Sequence, residues 1–325
     1  MSVLTFQQRD DPEQFSIQTR QASFIRSQLI LLQSRRKWGL VYAFATLAGL
    51  FCIPGGMVAA ASLADPFVLI SRTISLPLAS FMIIVGMYVL NDLVDTDLDR
   101  ANHKKRPIPT GQVTKGQVWA FVGLTNGAGI LLAALTLNPV SVVIALSIAV
   151  IGIMYSAPKI SLKDRFVIKT LAIALAMALC ALLGATSTFG LELGSTNSLL
   201  PAYIALMLGT MIFITSPFND MGDVAGDKAA GRRTIPIVIG KENTVKMAIV
   251  LAIGMATTSW LFYALGIAGF AASIGVSFVS SLAAVNIFKV LNRTDDTEYV
   301  RKKHKLSYPL HVMLQSAIVA GMLLI

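Results

Sequence analysis

The chain has 325 residues, of which 55% are apolar and only 14% are charged. Such a composition, with charges concentrated between long uncharged stretches, excludes an ordinary soluble enzyme and indicates a polytopic membrane protein. A net charge of +10 would suit a nucleic-acid-binding protein, but the basic residues flank apolar stretches. We therefore expect a lipid bilayer and an anionic substrate as partners, and no nucleic acid.

Residues 1–37 precede the first apolar span and are predicted to form a cytoplasmic, interfacial segment. They lack the apolar core of a signal peptide, and Asp10, Asp11 and Glu13 argue against a transit peptide. Residues 20–37 mix large apolar and basic side chains, which predicts a helix lying at the membrane surface.

Residues 38–325 are predicted to form one all-α transmembrane domain. A helix needs about 20 apolar residues to cross a bilayer, and nine stretches of about that length occur in the sequence. They run approximately over Trp38–Leu63, Phe67–Leu90, Val118–Leu135, Val140–Tyr155, Phe166–Leu183, Leu199–Phe218, Val245–Leu265, Ile267–Val290 and Tyr308–Ile325.

The distribution of Lys and Arg predicts the orientation of these spans, because basic residues accumulate in short cytoplasmic loops. With the N-terminus inside, 26 of the 27 basic residues fall in or beside cytoplasmic segments, and Arg72 is the exception. Nine spans would then place Ile325 outside.

An aspartate-rich motif occurs twice, each time at the end of an apolar span. The first copy is N-D-L-V-D-T-D-L-D at Asn91–Asp99, and the second is N-D-M-G-D-V-A-G-D at Asn219–Asp227. Four spans separate the two copies, so the halves form a parallel internal repeat with both motifs on the cytoplasmic side. Two carboxylate clusters are thus expected to face a shared cavity.

On a helix with about 100° per residue, each motif places its polar side chains on one stripe. Asp97 lies off this stripe and is excluded from the predicted site, while Pro217 and Gly222 make the second helix less regular. The two predicted stripes are Asn91, Asp92, Asp95 and Asp99, and Asn219, Asp220, Asp223 and Asp227.

Carboxylates arranged in this way suit magnesium chemistry. Mg²⁺ uses one or two carboxylates together with waters and phosphate oxygens, so two ions held by facing motifs can clamp one diphosphate. A single D-x-x-x-D would more simply be a helix cap, but its duplication beside basic loops favours a site. The basic residues within reach of phosphate oxygens are Arg106, Lys163, Arg165, Lys228, Arg232 and Arg233.

These motifs resemble those of the UbiA superfamily of intramembrane prenyltransferases. The resemblance rests on both aspartate motifs, on R-P-I-P-T-G at Arg106–Gly111, on Y-S-x-P with a later lysine, and on G-D-K-A-A-G-R-R-T-I-P. It implies nine helices around a central cavity and Mg²⁺-dependent transfer of an isoprenoid chain from its diphosphate to a small acceptor.

The resemblance also implies roles for individual residues. Asp95, Asp99, Asp223, Asp227, Lys163 and Tyr155 are the expected catalytic residues. One Mg²⁺ would be held by Asn91, Asp92, Asp95 and Asp99, and the other by Asp223 and Asp227 with Asp220 nearby. Substrate would be bound by Asn91, Arg106, Lys163, Tyr155, Asn219 and Lys228. His103 is a candidate base on the acceptor side, although an ordinary solvated loop histidine is the simpler interpretation.

The motifs leave the fate of the isoprenoid open. An aromatic or quinone-like acceptor gives a prenyltransferase, whereas capture by the chain's own double bond gives a terpene cyclase on the same scaffold. A transporter would also use intramembrane acids, but those acids usually lie near the bilayer midplane rather than at helix ends.

Overall fold

A computed structural model describes residues 22–51, 66–101, 105–187 and 199–323, without the side chains of 66–71, 101 and 323. Within these residues every regular element is helical, as predicted. The helices are α1 Phe24–Phe51, α2 Pro66–Val94, α3 Thr96–Ala101, α4 Lys115–Ala134, α5 Pro139–Ser156, α6 Phe166–Ala185, α7 Leu200–Met221, α8 Val224–Ala229, α9 Ile235–Ile239, α10 Lys241–Ala264, α11 Phe270–Phe288, α12 Thr297–His304 and α13 Ser307–Leu323, with 3₁₀ turns at Leu162–Asp164 and Leu291–Arg293.

Seven helices in the described part of the chain are long and apolar enough to cross a membrane. They are α2, α4, α5, α6, α7, α10 and α11. Helix α1 is long but carries Arg35, Arg36 and Lys37, and α13 has only 17 described residues. The count of nine spans therefore stays a prediction, while the multi-pass membrane fold is confirmed.

The predicted interfacial helix leads directly into the first predicted span. Helix α1 runs without a break from Phe24 through Lys37 and Trp38, so the predicted interfacial helix and the first span share one helix. No proline occurs between Phe24 and Phe51, so no residue of this stretch removes a helical hydrogen bond or clashes with the preceding turn. The predicted residues 52–63 of this span lie outside the described part of the structure.

Helix ends are fixed by local sequence. Thr114 caps α4 through a capping box, accepting from the Gln117 backbone N–H while the Gln117 side chain accepts from the Thr114 N–H. Asn138 caps α5, and Pro139 occupies its first position, where the missing N–H costs nothing. These caps set where the chain leaves each helix and enters the loops around the site.

Small residues allow α1 and α6 to pack closely. A Cβ on Gly49 would lie 1.8 Å from the Ala181 carbonyl oxygen, and one on Gly184 would lie 1.8 Å from the Thr46 oxygen. Helices in lipid associate by such close packing rather than by the hydrophobic effect. This contact fixes α1, whose N-terminal half carries Arg35 to the site.

Most residues of helix α7 are buried within the bundle. Its side chains at Tyr203, Met207, Met211 and Phe218 are almost completely buried and follow the spacing of a single helix face. The same helix ends in the second aspartate motif. A largely buried helix therefore positions that motif.

Candidate active site

A cavity of about 550 Å³ lies beside both aspartate motifs, at the ends of the helices that carry them. Polar residues from both halves of the chain line it. Among the predicted site residues it is lined by Asn91, Asp95, Asp99, Arg106, Tyr155, Lys163, Asn219, Asp220, Asp223 and Asp227.

The first motif keeps helical hydrogen bonding through the short turn between α2 and α3. The Asp95 N–H donates to the Asn91 carbonyl at 2.9 Å, and the Asp99 N–H donates to the Asp95 carbonyl at 2.8 Å. Because residues four apart share a helix face, Asn91, Asp95 and Asp99 all reach the cavity. Asp97 is exposed and pairs with Arg100 at 3.1 Å.

Asp92 shares the Arg106 guanidinium with Asp99 but lies behind the cavity lining. Its carboxylate is buried and accepts from Arg35 Nε at 2.7 Å and from Arg106 Nη1 at 2.7 Å, and it does not line the cavity. Arg106 also donates to Asp99. The two arginines thus connect α1 and the loop after α3 to the first motif.

Two cationic side chains contact the Asp95 carboxylate. Lys163 Nζ lies 2.8 Å from its Oδ1 and 3.2 Å from the Asn91 side-chain oxygen, and Arg232 donates to the same Oδ1. Burial alone would raise the pKa of Asp95, but the charges of Lys163 and Arg232 outweigh it and lower that pKa. Asp95 is therefore ionised at neutral pH.

Arg232 joins three segments of the chain. Besides Asp95, its guanidinium contacts Asp227 Oδ1 at 3.2 Å through Nη1 and Asp164 Oδ1 at 3.0 Å through Nε. Each nitrogen thus serves a different carboxylate, which a planar guanidinium can do and a lysine cannot. This single side chain connects both motifs with the 3₁₀ turn after α5.

The second motif has a less regular backbone, as predicted from Pro217 and Gly222, although Pro217 itself lies within α7. Helix α7 ends at Met221, and α8 begins at Val224, with Asp223 between them. The Asp227 N–H still donates to the Asp223 carbonyl at 2.9 Å. The break turns Asp223 and Asp227 toward the cavity that Asp220 reaches from the end of α7.

The second motif finds its counter-charges on other helices. Lys169, in the first turn of α6, donates to Asp220 Oδ1 at 2.7 Å, and both side chains are buried. Asp220 Oδ2 is also buried, and it has no hydrogen-bond partner among the residues that the structure describes. Asp223 accepts from Arg301 of α12 at 2.8 Å, and the same nitrogen donates to the Gly222 carbonyl at 3.0 Å.

A histidine also borders this part of the cavity. His304, the last residue of α12, lines the cavity next to Arg301 and near Asp223. Burial lowers the pKa of His304 to about 4, and the negative charge of Asp223 offsets only part of that effect. Its imidazole is therefore neutral at neutral pH.

Some predicted residues lie elsewhere. Lys228 is exposed and does not line the cavity, because adjacent residues of α8 differ by about 100° and Asp227 takes the inward direction. Arg165 and Arg233 are exposed as well. His103 lies outside the described residues.

Sequence reasoning missed three basic partners of the aspartates: Arg35, Lys169 and Arg301. Lys169 carried a usable signal, because a lysine within an apolar span is a functional candidate by default. Arg35 and Arg301 lie in basic stretches, S-R-R-K and R-K-K-H, where topology alone explains several charges. Only the folded structure shows which basic residues of these two stretches reach the site.

An apolar chamber of about 100 Å³ adjoins the polar cavity and shares Tyr88, Asn91, Tyr155 and Ile173 with it. Its other walls are mostly aliphatic. A Cβ on Gly152 would lie 2.2 Å from Met87 Cγ, so glycine is required beside Met87 in this wall. The site therefore has a charged part and an apolar part in direct continuity.

The donor set fits Mg²⁺. Among the described residues, no three Asp, Glu, His or Cys side chains converge into a metal cage built from protein alone. Mg²⁺ does not need one, because it takes one or two carboxylates and completes its shell with water and phosphate oxygens. Carboxylates from two helices, including the unpartnered Asp220 Oδ2, supply such oxygens at this cavity.

The family model described as the UbiA prenyltransferase family matches residues 37–307. A digeranylgeranylglyceryl phosphate synthase from Methanoculleus marisnigri is 30% identical over 236 residues, covering 69% of this chain and 78% of the relative. A solved structure from a study of digeranylgeranylglyceryl phosphate synthase in membranes superposes on this chain with a TM-score of 0.68 at 20% identity. The superposition covers 93% of this chain and 99% of the solved chain.

A second solved structure has the same fold. It is a UbiA homologue from Archaeoglobus fulgidus described as bound to GPP and Mg²⁺, with a TM-score of 0.60, 17% identity and coverage of 90% and 99% of the two chains. The family model spans most of the chain, and the structural likeness extends over nearly all of it. The chain therefore belongs to the UbiA prenyltransferase family and is a membrane-embedded prenyltransferase.

Proposed function

We propose that this enzyme ionises an isoprenoid diphosphate with the help of Mg²⁺ and transfers the isoprenoid chain to a small acceptor, aromatic or quinone-like. The observation that carries this proposal is the direct continuity of a cavity rich in carboxylates and basic groups with an apolar chamber. A diphosphate matches the first and an isoprenoid tail the second. The Archaeoglobus fulgidus homologue described with GPP and Mg²⁺ supports this substrate class.

Two Mg²⁺ ions would be held by the two motifs, one by Asn91, Asp95 and Asp99 and the other by Asp220, Asp223 and Asp227. Asp92 is a weaker candidate ligand than the sequence implied, because Arg35 and Arg106 already occupy both of its oxygens. When bound, the metal supplies positive charge that stabilises the departing diphosphate.

The chain's own basic residues complete the diphosphate site. Lys163, Lys169, Arg106 and Arg232 all line the cavity, and each can donate to phosphate oxygens. Their partial burial strengthens these charges relative to water. In this proposal they orient the diphosphate with its tail toward the apolar chamber, and the exposed Lys228 has no direct part.

The apolar chamber would protect the cationic isoprenoid. Tyr88 and Tyr155 stand at the boundary between the two parts, where aromatic faces stabilise positive charge. Met87, Ile148 and Ile173 line the remaining wall and exclude water. A dry pocket directs the cation to the acceptor rather than to hydrolysis.

A second candidate acceptor is a prenylated glyceryl phosphate. This alternative is favoured by the relatives, since that from Methanoculleus marisnigri is named a digeranylgeranylglyceryl phosphate synthase. In either case the active-site mouth and the N-terminus would face the cytoplasm, as the basic loops predict.

Product analysis tests the proposal. Purified protein would be given geranyl, farnesyl or geranylgeranyl diphosphate with Mg²⁺, with and without a quinone precursor or geranylgeranylglyceryl phosphate, and products identified by mass spectrometry. We expect prenylated acceptor that disappears with EDTA. A cyclic hydrocarbon or alcohol formed without acceptor would establish the cyclase alternative, and turnover unaffected by EDTA would contradict the metal site.

A further inference from the structure

A second cleft, lined by no residue of either aspartate motif, lies between α11 and α13. It has a volume of about 290 Å³, and none of the residues that line it belongs to the site described above. Its walls come from the last two turns of α11 and the first two turns of α13. It therefore lies where α11 ends and α13 begins, at the end of the bundle that the basic loops predict to be cytoplasmic.

The inner part of the cleft is apolar. Leu282 and Val285 of α11 face Leu306 and Met313 across it, and all four side chains are partly or largely exposed. From Leu282 to Lys289 the helix rises about 10 Å. An alkyl chain can lie along this length, parallel to the helices.

The outer end of the cleft is cationic. Lys289 follows the last residue of α11, and Lys303 belongs to α12. None of the described residues lining the cleft is acidic, and in the described part of the chain neither lysine has a carboxylate within salt-bridge distance. Two unpaired ammonium groups at a membrane boundary complement an anion.

The lysine on α12 is held in place by its surroundings. Buried Asn286 donates through Nδ2 to the Lys303 carbonyl oxygen at 3.2 Å, which ties α12 to α11. The Lys303 ammonium lies 5.4 Å from the centre of the Tyr299 ring. These contacts position Lys303 at the cationic end of the cleft.

We propose that this cleft binds an anionic phospholipid, with the phosphate between Lys289 and Lys303 and one acyl chain between α11 and α13. A free phosphate would leave the apolar wall unused. A zwitterionic lipid would bring its own cation toward the two lysines. This inference does not depend on the reaction proposed above.

Helix α12 connects this cleft to the catalytic cavity. It carries Lys303 at the cleft and Arg301 at Asp223 and the Gly222 carbonyl. A lipid that holds α12 against α11 and α13 would also hold Arg301 against the second motif. Anionic lipid is therefore expected to increase turnover as well as to bind.

Lipid binding can be measured with the full-length protein in nanodiscs of phosphatidylcholine containing a photoactivatable phosphatidylglycerol. Crosslinked peptides from α11 and α13, identified by mass spectrometry, report occupancy of the cleft. We expect Lys289→Gln with Lys303→Gln to reduce crosslinking about 25-fold, since each of the two lysines near an anionic surface contributes roughly fivefold. Soluble glycerol phosphate should not compete.

Lys302→Gln with Lys305→Gln is the matched control. Both lysines are exposed and lie near the cleft without lining it, and the two substitutions remove the same charge as the test variant. This control should change crosslinking by less than about twofold. The proposal would be overturned if both double variants lost crosslinking equally, or if the Lys289→Gln and Lys303→Gln variant crosslinked as well as the wild type. Competition by glycerol phosphate would overturn it too. Val285→Trp, which fills the apolar part while keeping both lysines, should also abolish crosslinking.

Discussion

The two aspartate motifs have nearly the same sequence but are neutralised differently. The first is surrounded by Arg35, Arg106 and Lys163, which come from α1 and from loops outside the apolar spans. The second depends on Lys169, buried at the start of an apolar helix, and on the exposed Arg301. The spacing of the aspartates in the sequence therefore determines where the carboxylates lie. The burial of each basic partner determines how much a substitution of that partner should affect stability.

The largest effect should come from the buried pair at the second motif. Lys169→Met leaves the Asp220 carboxylate buried and unpaired, which should lower the free energy of unfolding by about 3–5 kcal/mol. Unfolding in detergent, followed by tryptophan fluorescence, measures this loss. Asp220→Asn alone should also destabilise, because it leaves the lysine unpaired.

The exposed Glu242–Lys246 pair provides a matched control for this prediction. Its ammonium and carboxylate lie 2.6 Å apart, but both side chains are more than half exposed. Lys246→Met should therefore cost less than about 1 kcal/mol. The combined Lys169→Met and Asp220→Asn variant should recover much of the lost stability, and failure to recover any would show that the pair is not the cause.

Turnover should depend on both motifs. Asp95→Ala and Asp223→Ala should each reduce kcat/KM by about 10²–10³, the effect of removing one preorganised charge-stabilising group. Asp97 lies within the first motif but its side chain is exposed, so Asp97→Ala should leave kcat/KM almost unchanged. Full turnover in both folded alanine variants would remove the metal-site proposal.

His304, beside the second motif, should make the free energy of unfolding depend on pH. Its folded pKa is about 4 against an ordinary 6.5, so between these values the unfolded chain binds a proton that the folded chain does not. Stability conferred by the neutral imidazole is present above about pH 6.5 and is lost as the pH falls toward 4. The loss should be about 3 kcal/mol at most.

Comparing wild type with His304→Gln isolates this contribution. The variant should show a flatter dependence of the free energy of unfolding on pH between about 4 and 6.5, measured by denaturant unfolding in detergent. Identical slopes for the two proteins would mean that His304 titrates normally in the folded state.

Much of this molecule could be predicted from its sequence because membrane solvation imposes simple rules. Apolar length predicted the helices, and the four-residue spacing placed Asn91, Asp95 and Asp99 on one face. The direction of Lys228 could not be predicted, because it depends on how the short helix α8 follows the break at Asp223. Nor could the roles of Arg35 and Arg301, since each reaches an aspartate far away in sequence only through helix packing.

The bridge at Arg232 gives the smallest predicted effect and the most direct test of whether the two motifs act together. Arg232→Met removes the only described side chain that contacts a carboxylate of each motif. We expect kcat/KM to fall about tenfold, because the carboxylates lose a common partner and their relative positions loosen. Arg232→Lys keeps the charge but not the three-way contact, so it should recover only part of this loss.

Arg233→Met is the control for this bridge, because Arg233 is the adjacent residue, is exposed, and contacts Asp164 through its backbone N–H. It removes the same charge from the same loop and should change kcat/KM by less than about twofold. If the two methionine variants lose activity equally, general attraction of the diphosphate by this loop explains the effect. If only Arg232→Met is impaired, the specific contacts to Asp95 and Asp227 are required, and the two motifs then function as one site rather than as two independent metal-binding segments.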